Sequence, residues 1–201
     1  MRLQGRLPEE ILERLQPNYI SLTTIIHEIG HIIDHENQYK MFGTVNTKIA
    51  YDLRYEYDEY ITQNALSLWG EYYAEMIAYQ IVCSEEDLTI NKEKELIKCI
   101  KTFSYGTDTH AILERVYRIL YYFVSRLAYI HQRSNHTRSF DYSAFEKIEL
   151  VSDYIPLLAR TELAIIELYR NYPKWDTDDC LNEFSNVIKE FLNFEHKRQL
   201  K

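Results

Sequence analysis

The residues best suited to chemistry sit in one pentapeptide, His27-Glu28-Ile29-Gly30-His31. On an α-helix, positions four apart stack one turn above each other, about 6 Å along the axis. Two imidazoles so placed can reach one zinc ion. The glutamate between them then faces the ion's open position, where it can take a proton from water. The alternative is a pair of ordinary core histidines bonded to backbone carbonyls. The interposed Glu28 and the apolar flanks of the motif favour the metal.

Those flanks read as a helix. Ser21, Thr23 or Thr24 offers an N-cap, and Ile25, Ile26, Ile29, Ile32 and Ile33 supply an apolar surface. The pattern predicts a helix buried on most sides, with one polar stripe through His27, His31 and Asp34. Two histidines leave zinc short of a third protein ligand. A metzincin extension needs Gly at position 34 and His at 37, whereas this chain has Asp34 and Asn37. His35 lies about 12 Å along the helix from His27, too far for three imidazoles to share one ion. The remaining class takes a glutamate from a second helix. Trp69-Gly70-Glu71-Tyr72-Tyr73-Ala74-Glu75-Met76-Ile77-Ala78 is the candidate, with Ala74 and Ala78 as a small-residue strip that lets helices approach closely. Glu71 is the expected third ligand. Glu75, one turn on, is the expected acceptor for a ring N–H of a ligating histidine. Asp34 is either a further orienting group or a solvated side chain.

HEIGHIIDHE followed by EYYAE resembles the gluzincin zinc metallopeptidases, locally the paired catalytic helices of anthrax lethal factor and of ImmA/IrrE-type proteases. The likeness covers residues 21–80. It implies zinc held by His27, His31 and Glu71, with Glu28 as general base and Glu75 as partner of a ligating histidine. Gluzincins also place a small β-sheet ahead of the motif helix. Here the stretch before His27 reads as a helix over 7–15 and a break at Pro17, so no sheet is expected. Asn64 stands where lethal factor has a tyrosine, so that residue's role does not carry over.

Composition suits a helical enzyme. Five Gly and four Pro in 201 residues provide little turn chemistry, while 46% apolar residues suffice for a core. A net charge of −8 argues against nucleic acid or an anionic membrane as the main partner; the partner expected of a metallopeptidase is a peptide or protein substrate. No apolar run approaches ~18 residues. Three widely spaced cysteines, Cys83, Cys99 and Cys180, suggest reduced thiols and a cytoplasmic location. Of the 18 Tyr, those near the motif are expected mainly to pack by their rings. Tyr105 and His110 are candidates for oxyanion stabilisation only if the Gly106 loop folds over the zinc.

The expected fold is all-α, a zincin-like helix pair followed by a C-terminal helical bundle. After a turn at Gly43 and Thr44, helices are expected over about 47–68 and on to Val82, from Ser84 to Phe103, from Thr109 to Arg133, from Ser152 to before Pro173, and from Asp178 to Lys197. Ser143 and Glu146 read as a capping box. The polar break Ser134–Ser139 separates an expected metallopeptidase domain, residues 1–134, from a helical extension, 135–201. The function expected is hydrolysis of peptide bonds by a zinc-activated water with Glu28 as base. The rivals are a zinc-binding helical module without turnover and a repressor-cleaving protease of the ImmA/IrrE type.

Overall fold

A chain poor in glycine and proline has few places to turn, and it folds accordingly. A computed structural model describes residues 19–42, 57–82, 87–102, 109–175 and 178–199, and no strand occurs among them. The helices are α1 (Tyr19–Phe42), α2 (Tyr57–Ile81), α3 (Asp87–Lys101), α4 (Thr109–Ser134), a single turn α5 (Ser143–Glu146), α6 (Ile155–Asn171) and α7 (Asn182–Gln199). Short 3-10 turns, Ser152–Tyr154 and Asp178–Leu181, lead into α6 and α7. The fold is all-α, as composition and periodicity predict. The helix read over 7–15, the Gly43–Thr44 turn, Cys83 and the Tyr105–Gly106 loop lie outside the described residues.

Two local expectations change. α1 is already helical at Tyr19, so Ser21, Thr23 and Thr24 lie within it and cannot cap its start. The capping box at Ser143 does not form: Tyr142 occupies the cap position without a side-chain bond, and the Ser143 N–H donates to Asp141 Oδ1 at 3.0 Å. Asp141, two residues upstream, takes the Ser143 N–H that the box would have bonded.

α2 is the structural axis. Its apolar side chains are distributed all round it, the signature of a helix with no solvent face of its own. Ile61, Ala65, Leu68, Trp69, Tyr72, Ala74 and Ala78 are fully buried. α4 packs along it with Ile119, Leu120, Phe123 and Leu127, and α7 adds Phe184, Val187 and Phe191 to the same core. The segment after residue 135 therefore packs on α2 and α4, sharing one apolar core with them. Buried polar crosslinks fix the register. Arg115 donates to Glu195 Oε2 at 2.9 Å and to the Ile100 carbonyl at 2.7 Å, while the Tyr154 hydroxyl donates to the other oxygen of Glu195. Glu162 accepts from the Phe140 N–H at 2.9 Å and the Tyr142 hydroxyl at 3.0 Å, holding the link after α4 against α6.

Candidate metal centre

α1 and α2 run antiparallel, and their contacts repeat every four residues. Ile26 packs on Ala78 and Val82, Gly30 lies against Ala74, and Asp34 meets Trp69 and Gly70. The facing positions on α2 are Gly70, Ala74 and Ala78, so the small-residue strip is one turn longer than Ala74 and Ala78 alone suggest. The approach is closest at Gly30. A Cβ there would sit 2.6 Å from the Ala74 Cα, a distance no side chain tolerates. Glycine in the middle of the motif thus sets the spacing between the helices.

That spacing brings the chemistry together. The Nε2 atoms of His27 and His31 are 3.0 Å apart. Glu71 Oε2 is 3.4 Å from His27 Nε2, and Glu71 Oε1 is 3.7 Å from His31 Nε2. One ligand atom from each residue lies within 4.8 Å of the others, the only such group of metal-ligating side chains among the described residues. Two imidazoles and a carboxylate are a donor set of a kind that zinc and other divalent metals take. Four-coordinate zinc at about 2.0–2.1 Å from N and O ligands has tetrahedral edges of about 3.3 Å; the two histidine nitrogens are 3.0 Å apart, and each meets a different Glu71 oxygen, at 3.4 and 3.7 Å. All three side chains are partly open to solvent, leaving one side of the cluster accessible.

The electrostatics are those of a site short of positive charge. Burial works against a charged His27, but the hydrogen bond to Glu71 and the charges of Glu75, Glu71 and Glu28 outweigh it and raise its pKa. His31 goes the other way. Burial, with the neighbouring His27 and His35, lowers its pKa despite the pull of Glu71 and Glu28.

The other expected residues fall in distinct places. Glu28 is exposed, close enough for its charge to act on both histidines. Glu75 is buried, but its contacts differ from the expected ring N–H. Lys92 Nζ lies 3.4 Å from its Oε1, and the Tyr79 hydroxyl hydrogen-bonds to it, so it reaches His27 through its charge alone. Asp34 is fully buried, which removes the solvated reading, and it accepts hydrogen bonds from Gln38, Trp69 and Tyr172. Desolvation raises its pKa against the opposing effect of these donors. His35 is exposed, with its ring centroid 6.3 Å from that of His31. Tyr72 and Tyr79 are core side chains, and His110 is exposed at the start of α4.

One face of α1 departs from its expected burial. Ile25, Ile29 and Ile32 are 56%, 43% and 64% exposed and form a stripe along the helix beside Glu28. Their periodicity reads as a buried face, but α2 covers the opposite side, where Ile26, Gly30 and Asp34 lie. Gln38, Trp69, Lys92 and Tyr172 were not predicted from the sequence. Only Trp69 carried a local signal, by adjoining the Gly70–Glu71 pair. Comparison with protein families, with curated proteins and with solved structures finds no match for this chain.

Proposed function

We propose that this chain is a zinc-dependent metallopeptidase that hydrolyses peptide bonds in a peptide or protein. His27, His31 and Glu71 are its zinc ligands, and Glu28 is its general base. The observation that carries this reading is the convergence of three donor groups within 4.8 Å of one another, with an exposed carboxylate beside them. A zinc ion held there supplies Lewis acidity, polarising a carbonyl and lowering the pKa of a water at its open position towards ~7. The chain's own residues do the rest. Glu28 accepts the proton of the attacking water and delivers it to the leaving amine. Glu75 and Asp34 support the centre from behind. Glu75 contributes negative charge at His27, and Asp34 ties α1 to α2. No helix among the described residues is long and apolar enough to cross a membrane.

A second reading draws on the Ile25, Ile29 and Ile32 stripe. An exposed aliphatic face is what a zinc-binding module without turnover would use to hold a partner protein. One experiment separates the two. Purified protein loaded with zinc is incubated with a mixed peptide pool, and new termini are counted by mass spectrometry. Cleavage that a chelator abolishes and added zinc restores is the expected result. Zinc-loaded protein that generates no new termini would overturn the peptidase and leave the binding module.

A further inference from the structure

We infer that Tyr172, contributed by the C-terminal half of the chain, is a positioning residue of the metal centre that acts through Asp34. The inference rests on the proposed function, because it concerns the same cluster. It also gives residues 135–201 a part in the site, for which their sequence offers no chemistry.

A carboxylate buried without hydrogen bonds costs several kcal/mol, so the donors around Asp34 decide where it can sit. There are three, and each comes from a different place. Gln38 Nε2 donates at 2.7 Å from the next turn of α1. Trp69 Nε1 donates at 3.1 Å from α2, two residues before Glu71. The Tyr172 hydroxyl donates to Oδ1 at 2.6 Å from just beyond α6. That hydroxyl also accepts from Asn37 Nδ2 at 3.0 Å, so it bridges two side chains of α1 and has its donor and acceptor roles fixed. The Tyr172 ring is fixed as well. Its centroid lies 5.0 Å from that of Trp69, 4.9 Å from Tyr73 and 5.2 Å from Trp175. A rigid aromatic wall thus presents one hydroxyl to α1.

Movement at Asp34 is movement at the ligands. Asp34 lies three residues after His31, on the following turn of the same helix. A Cβ placed on Gly70 would be 3.4 Å from Asp34 Oδ2 and 3.6 Å from His31 Nδ1, so one α2 residue abuts both. The next residue on α2 is Glu71. Tyr172, Asp34 and Trp69 therefore set the rotation of α1 against α2 at the point where His31 and Glu71 converge. Ligand sets of this kind need placement within about 0.5 Å. Loss of a side chain hydrogen-bonded directly to a ligand typically weakens metal binding by about 10–100-fold, and Tyr172 acts one bond further out.

The test titrates divalent cobalt, a spectroscopically visible substitute for zinc, into metal-free wild type, Tyr172→Phe and Tyr154→Phe. The last removes a buried hydroxyl from the Glu195 network, a separate part of the core. Tyr172→Phe is expected to raise the cobalt Kd by about 10-fold, the lower end of the range for direct ligand partners, and to change the ligand-field absorption band, while Tyr154→Phe keeps both as in wild type. Asn37→Ala removes the donor that orients the hydroxyl but leaves the Tyr172 ring and Asp34 in place. It is expected to shift Kd the same way by less, which keeps the inference testable should Tyr172→Phe fail to fold. Wild-type affinity and spectrum in Tyr172→Phe, or in Asn37→Ala where only that variant folds, would overturn the inference and leave the metal centre standing. Equal weakening by Tyr154→Phe would reduce it to general stability. Failure of the wild type itself to bind cobalt or zinc would remove the metal centre, and this inference with it.

Discussion

Glu28→Gln should retain zinc and lose peptide hydrolysis by about 10²–10⁴-fold, the contribution usual for a positioned general base. The substitution keeps the size and shape of the side chain and removes only its ability to take a proton. Glu28 is exposed, so no buried partner is orphaned by the change and stability should stay close to wild type. Zinc should stay bound because His27, His31 and Glu71 are untouched. The check is kcat/KM on a cleaved peptide beside zinc content and Tm for the same preparations. Undiminished turnover in a zinc-loaded Glu28→Gln enzyme would remove Glu28 from the mechanism.

Gly30→Ala sets two effects of opposite sign against each other. Helix propensity favours alanine over glycine by about 1 kcal/mol in a helix interior, so the exchange would stabilise an isolated α1. In the fold, the new Cβ would lie 2.6 Å from the Ala74 Cα and 3.2 Å from its carbonyl oxygen, both backbone atoms of a buried helix. Relief requires α1 and α2 to separate. Overpacking of this kind costs typically 1–3 kcal/mol, and the contact with rigid backbone puts it at the upper end, so the net effect is destabilising. At about 2–4 °C per kcal/mol for a chain of this size, Tm should fall by several degrees. Zinc affinity should fall with it, since the same separation carries Glu71 away from His27 and His31. Gly70→Ala is the control. Its Cβ would meet nothing closer than 3.4 Å, so propensity should dominate and stability should hold or rise. A higher Tm in Gly30→Ala than in wild type would mean that the helices are not packed through this glycine.

The helix pair is legible in the sequence because its signals are local. His27 and His31 are one turn apart, Glu71 and Glu75 are one turn apart, and Ala74 and Ala78 mark the crossing at the same spacing. Scarce glycine and proline make the all-α class legible for an equally simple reason. What lies between distant segments is not legible. Tyr172 meets Asp34 across 138 residues, and no periodicity in α1 points to it. Glu75 illustrates the same limit: spacing places it one turn from Glu71, but its partner depends on where α3 brings Lys92. Ile25, Ile29 and Ile32 read as buried because they are apolar and periodic, yet periodicity names a face without naming what covers it. The Ser143 capping box failed on a shorter range, where Asp141 took the N–H first.

The most direct test of the account is metal content by mass spectrometry on purified wild type, Glu71→Ala and Glu75→Ala after incubation with zinc and removal of excess. The account predicts about one zinc per chain in wild type, lost in Glu71→Ala and kept in Glu75→Ala, whose carboxylate is paired with Lys92 and makes no contact with the cluster. Wild type without zinc, or zinc that survives in Glu71→Ala, would contradict it.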